Sequence, residues 1–131
     1  MTPQREEAAR MMRLAMRDQA AFVTLLSAPS VALSLALFHA QQSVEKALKA
    51  VMCLRGLEFR HTHDLEELAG QLADTGQGPA IGISELQRLV PYAVKFHYDD
   101  ESPHLLTGAQ AQTIVAFVLA WAESQIAAAS I

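Results

Sequence analysis

The chain has 131 residues, a formal net charge of −4 and 51% hydrophobic residues, of which few are aromatic. That length suits one domain, 1–131, able to bury its own core, and an Ala- and Leu-rich composition favours helices over a sheet. The acidic balance excludes a global basic field that would draw the chain onto nucleic acid, and the single cysteine, Cys53, excludes an intramolecular disulfide.

Cys53 sits in the apolar run 51–54 and reads as a small buried hydrophobe rather than a reactive thiol. The N-terminal stretch MTPQREEAARMMR is charged and has no apolar signal core. The longest apolar stretches, 31–40 and 114–122, are too short to span a bilayer. A soluble, cytoplasmic protein without membrane association is the expectation.

The first helix is predicted over 3–26. Pro3 suits the first helical position, and Glu6 and Glu7 suit its positive end. Met12, Ala15, Met16, Phe22, Val23 and Leu26 make its apolar stripe, while Arg10, Arg13 and Arg17 share the other face. That arginine face reads as solvated, or as a contact for RNA phosphates.

A turn at 27–30 leads into a second helix that runs to Arg55, where Gly56 is a natural C-terminal cap. Leu33, Leu37, Ala40, Val44, Ala47, Leu48 and Val51 fall on one side. Gln42, Glu45, Lys46 and Lys49 cluster opposite, with His39 at the margin and Glu45 and Lys49 as an i,i+4 pair.

Asp64-x-x-Glu67 reads as a capping box opening a third helix that ends before Gly76. A Gly-rich loop follows. Ser84, paired with Gln87, is predicted to open a fourth helix, kinked at Pro91, and 98–104 is loop. Thr107-x-x-Gln110 is a third capping box. It opens a last helix with Ile114, Phe117, Val118, Trp121 and Gln125 along one face. No strand pattern competes. Long helices joined by short loops predict an all-α, up-and-down bundle of four to five helices.

Three stretches say more: AQQSVEKALK at 40–49 followed by Arg55-Gly56, THDL at 62–65, and YAVKFHYDD at 92–100. Together they resemble the HEPN domain family, named for higher eukaryotes and prokaryotes nucleotide-binding. The resemblance implies a bundle of four to five helices, often a homodimer, commonly encoded beside a small nucleotidyltransferase. Some such pairs act as toxin and antitoxin, the HEPN member being a metal-independent ribonuclease with an Arg-x4–6-His motif on a helix at the dimer seam. This sequence departs from that pattern: His97 stands where the family often has Arg, and no Arg-x4–6-His lies on a late helix. Arg55 and His61 have the right spacing but flank Gly56 and a turn.

The candidate ligand-binding residues are Gln42, Lys46, Lys49, His61, His63, Asp64 and Tyr98, and the candidate catalytic residues are His97 and His63. Lys46 and Lys49, one turn apart, read either as two point charges for a phosphate or as a solvated face paired with Glu45. His61 and His63 read as phosphate ligands, as acid and base, or, for His63, as a loop residue bonded to backbone near the third helix. A metal at this pair needs a further ligand, and only Asp64 is close in sequence, so no metal and no cofactor are assigned. His97 in a last helical turn is also what the helix dipole favours. Trp121, in an apolar stripe, reads as core or dimer seam rather than a base-stacking platform.

Three functional readings follow. The first is a nucleotide- or RNA-phosphate-binding module at the Lys46/Lys49–His63–His97 corner, acting with a small nucleotidyltransferase partner. The second is a metal-independent endoribonuclease toxin in which His97 or His63 takes a proton from a ribose 2′-hydroxyl. The third is a non-catalytic dimeric scaffold.

Overall fold

A computed structural model describes residues 2–28, 30, 33–93 and 106–129. Five α-helices account for most of them: α1 (Pro3–Leu26), α2 (Leu33–Leu54), α3 (Leu65–Asp74), α4 (Ile83–Leu89) and α5 (Gly108–Ala129), with a 3₁₀ turn at Val90–Ala93 after α4. Among the described residues there is no strand, so the chain is an all-α helical bundle.

Local chemistry explains most boundaries. Thr2 caps α1 by accepting from the Arg5 amide, and Pro3 follows at the first helical position. α2 stops in a Schellman turn. The Leu57 amide donates to the Met52 carbonyl at 2.9 Å and the Gly56 amide to the Cys53 carbonyl at 3.1 Å, with Gly56 at φ +68°. Asp64 caps α3 by accepting from the Glu66 and Glu67 amides. The return half of the expected box is not made by Glu67, which pairs with Arg60; Thr62 Oγ1 accepts from the Asp64 amide instead. At α5 the box is complete: Thr107 Oγ1 accepts from the Gln110 amide and Gln110 Oε1 from the Thr107 amide.

The fourth helix departs from expectation. It begins at Ile83, after Gly82, which offers no side-chain cap, and Ser84 lies inside it. Gln87 reaches a carboxylate oxygen of Glu66 on α3 instead of turning back to Ser84. Pro91 does not kink a continuing α-helix. The α conformation ends at Leu89 and Pro91 sits in the 3₁₀ turn, because its missing amide and ring are incompatible with an i→i−4 ladder.

The centre of the fold is α2, with α1 and α5 packed along it and α3 and the 3₁₀ turn covering what remains. Its predicted apolar side is buried, Leu33 only partly, but so are Ala36, Gln41, Ser43, Glu45, Ala50 and Met52. The expectation of a solvated polar face on α2 is therefore wrong for Glu45, which is 4% exposed. A helix covered on several sides buries residues on every face, whatever its moment.

The apolar stripe of α1 is buried at Met12, Ala15 and Phe22 but is narrower than expected, and that of α5 is rotated from expectation. Met16 and Val23 of α1 and Phe117 of α5 are exposed, and Ala111, Ile114, Val115, Val118, Leu119 and Ala122 form the buried side of α5. Because α5 is apolar nearly all round, periodicity cannot choose its inner face. As a whole, α5 is long and apolar enough to cross a membrane by length and composition, more than its 114–122 core suggested. Its buried stripe nevertheless packs on α2 in the bundle core.

Candidate functional site

Two carboxylates organise the polar groups around α2, and each joins one histidine to one lysine. Glu45 is the first. Its Oε2 accepts from Lys49 Nζ at 3.0 Å, and its Oε1 accepts from Gln41 Nε2 at 3.0 Å and from His63 Nδ1 at 2.7 Å. Gln41, Glu45 and Lys49 are successive i,i+4 neighbours, so one helical row delivers three members of the set. His63 arrives from the loop before α3, brought in by the Schellman turn at one end and the Asp64 cap at the other. The Gln41 amide also donates to the His63 carbonyl at 3.3 Å, and its own oxygen accepts from Gln42 Nε2 at 2.7 Å. The buried amide and carboxylate are thus fully bonded, as burial requires. Lys49 Nζ lies 5.5 Å from the centroid of Phe59, adding a cation–π contact.

Asp18 on α1 is the second. Its Oδ1 accepts from His39 Nδ1 at 3.0 Å, and its Oδ2 bonds Lys46 Nζ. The Phe38 ring meets His39 edge-on, with centroids 5.2 Å apart. Close packing of α1 and α2 makes the approach possible, since Ser43 Oγ donates to the Ala15 carbonyl at 2.7 Å. Leu14, Arg17 and Ala21 complete the walls of a groove here, a cavity of about 270 Å³.

This arrangement separates residues expected to act together. Lys46 bonds a carboxylate of α1, while Lys49 bonds Glu45 beside the 57–64 loop, so the two ammonium groups neutralise different partners. The Glu45 corner is not cationic: Asp64, Glu66 and Glu67 follow His63 directly. Asp64 acts as the α3 cap, and His61 is exposed. His97 and Tyr98, with the rest of 94–105, lie outside the described residues. Among the described residues no group of three or more His, Cys, Asp or Glu side chains is placed to hold a metal.

Arg55 ties several elements together. Its guanidinium donates to the carbonyls of Leu72 and Gln77 and to Gln125 Oε1, joining α2 to α3, the following loop and α5. Cys53 is partly buried rather than fully so, and that burial pushes its thiol up from its ordinary value, with a smaller contribution from Glu7, which disfavours the thiolate.

Sequence reasoning missed Asp18 and Gln41 and left His39 at the margin. Gln41 carried a signal, being four residues before Glu45. Asp18 carried none, because its partners lie 21 and 28 positions away.

A family model described as HEPN domain matches residues 8–124, from the first turns of α1 to near the end of α5. No curated protein and no solved structure matches.

Proposed function

The chain belongs to the HEPN domain family, and from that premise we propose that it is a nucleotide- or RNA-phosphate-binding module, a single domain acting with a small nucleotidyltransferase partner. The pair works in the cytoplasm as toxin and antitoxin, with this chain a homodimer. The observation that carries the binding role is the pair of carboxylate–histidine–lysine sets on the two sides of α2, Asp18/His39/Lys46 and Glu45/His63/Lys49. Fixed lysines and histidines of this kind suit contact with phosphate oxygens. Calorimetry with ATP, GTP and their monophosphates tests the reading, and a wild-type chain that binds none of them refutes it. The partner is tested by co-expression with a nucleotidyltransferase encoded beside it; failure to co-purify removes the pairing.

One observation favours a second reading, a metal-independent endoribonuclease. Glu45 is buried and bonded to Nδ1 of His63, whose side chain is otherwise exposed. A carboxylate behind an imidazole fixes its orientation and leaves Nε2 toward solvent, where it can take a proton from a ribose 2′-hydroxyl. This reading requires RNA cleavage in EDTA that His63→Ala abolishes. Full activity of that variant would exclude His63 as the base.

A further inference from the structure

We propose that the α1–α2 groove lined by Arg17, Asp18, His39 and Lys46 is a subsite for a terminal phosphate group, a phosphomonoester. The proposal rests on the reading of the chain as a phosphate-binding module and names where, and by which chemical class, that binding occurs. Of the two sets it selects Asp18/His39/Lys46, whose groove adds the exposed Arg17, whereas acidic residues follow His63 at the Glu45 corner.

Charge carries the argument first. The groove holds two permanent cations, Arg17 and Lys46, against one carboxylate. The excess positive charge attracts a phosphate, and a phosphomonoester presents three terminal oxygens to the donors of Arg17, Lys46 and His39, where an internal phosphodiester presents two.

Depth carries it second. The Asp18 side chain is 14% exposed, against 27% for His39 and 26% for Lys46. The carboxylate therefore lies beneath the cations and acts on their positions rather than facing the opening. It takes Nδ1 of His39, which leaves Nε2 to face a ligand, and one of the three ammonium hydrogens of Lys46, which leaves two. The edge-on Phe38 ring braces the imidazole from the side. Arg17 is exposed and bonded to no other described residue, so its planar fork is free to clasp two oxygens of one phosphate.

Size carries it third. At about 270 Å³ the groove has ample room for a phosphate. The rest of the ligand can extend over the exposed α1 surface that carries Arg13 one turn before Arg17.

Calorimetry on the whole chain tests the proposal with inorganic phosphate, AMP, adenosine, and a short RNA with either a 5′-phosphate or a 5′-hydroxyl. Phosphate and AMP are expected to bind and adenosine to fail. Arg17→Ala and Lys46→Ala should each weaken AMP by about tenfold, while Arg88→Ala, exposed on α4, leaves it unchanged. Arg17→Ala removes no internal bond, so its effect is free of a folding defect; circular dichroism checks Lys46→Ala. Binding of AMP separates a free nucleotide as the source from an RNA end, which the 5′-phosphorylated RNA alone would reveal. If AMP binds wild type and Arg17→Ala equally, the groove is refuted while nucleotide binding elsewhere on the chain stands. If adenosine binds as well as AMP, or the two RNAs bind alike while AMP fails, the phosphomonoester class is refuted. If nothing bearing phosphate binds, the groove and the broader reading fall together.

Discussion

Glu45 of α2 and His63 of the loop before α3 lie 18 positions apart in the chain and meet at 2.7 Å. The two ends of the contact differ in environment: the carboxylate side chain is 6% exposed and the imidazole 57%. Deleting them should therefore have unequal consequences. Glu45→Ala strands Lys49 and Gln41 without their shared acceptor and should cost about 3 kcal/mol. His63→Ala leaves Glu45 with two donors, and the exposed end of the pair is screened by solvent, so its cost should stay below about 1 kcal/mol. Urea titration of both variants measures the difference, and equal losses would contradict it.

Gly56 occupies the left-handed position of the α2 cap at φ +68°, and a Cβ there would come within 2.8 Å of Gln4 Nε2. The side-chain contact can yield because Gln4 is flexible, but the backbone conformation cannot. Gly56→Ala should cost about 1–2 kcal/mol. Thermal unfolding reads this directly, and an unchanged midpoint would mean that the turn is not held as described.

The three expected capping boxes differ in what they do, and stability should follow. Asp64→Ala and Thr107→Ala each remove a side-chain acceptor from the amides of a helix start and should cost about 1 kcal/mol. Ser84→Ala removes no cap, because Gly82 holds that position without a side-chain bond. Its effect should lie within about 0.5 kcal/mol of zero. Denaturant midpoints of the three variants decide the matter.

Burial raises the Cys53 thiol above its ordinary value, so a smaller fraction is thiolate at any pH near neutrality than in a free cysteine. Reaction with a disulfide reagent between pH 7 and 8 should be slower than for a free thiol, the rate should climb only at more alkaline pH, and unfolding in urea should abolish the difference. Equal rates folded and unfolded would show that the thiol is not shielded.

Which features the sequence discloses depends on how far each one reaches along the chain. The bounds of α1, the stop at Gly56 and the caps at Asp64 and Thr107 rest on contacts within a few residues, and all were legible. The Ser84 box was misread because Gln87 found a carboxylate on another helix, which no local pattern reports. The Gln41, Glu45 and Lys49 row was half legible: the i,i+4 pair could be read, and its burial could not. Residues in the family's own motifs at 40–49 and 62–65 disclosed kinship, but not which side chains touch.

By itself, the sequence determined that this is a helical chain of the HEPN family, where most of its helices begin and end, and that α2 carries polar groups at helical spacing. Those properties follow from hydrogen bonds and periodicities spanning four residues or fewer. Only the tertiary structure decided that Glu45 is buried, that Lys46 and Lys49 serve different carboxylates, and that Asp18 reaches His39. Each depends on how α1 and the 57–64 loop are rotated and seated against α2. That seating is set by packing of the whole core around α2, a sum over many contacts distant in sequence.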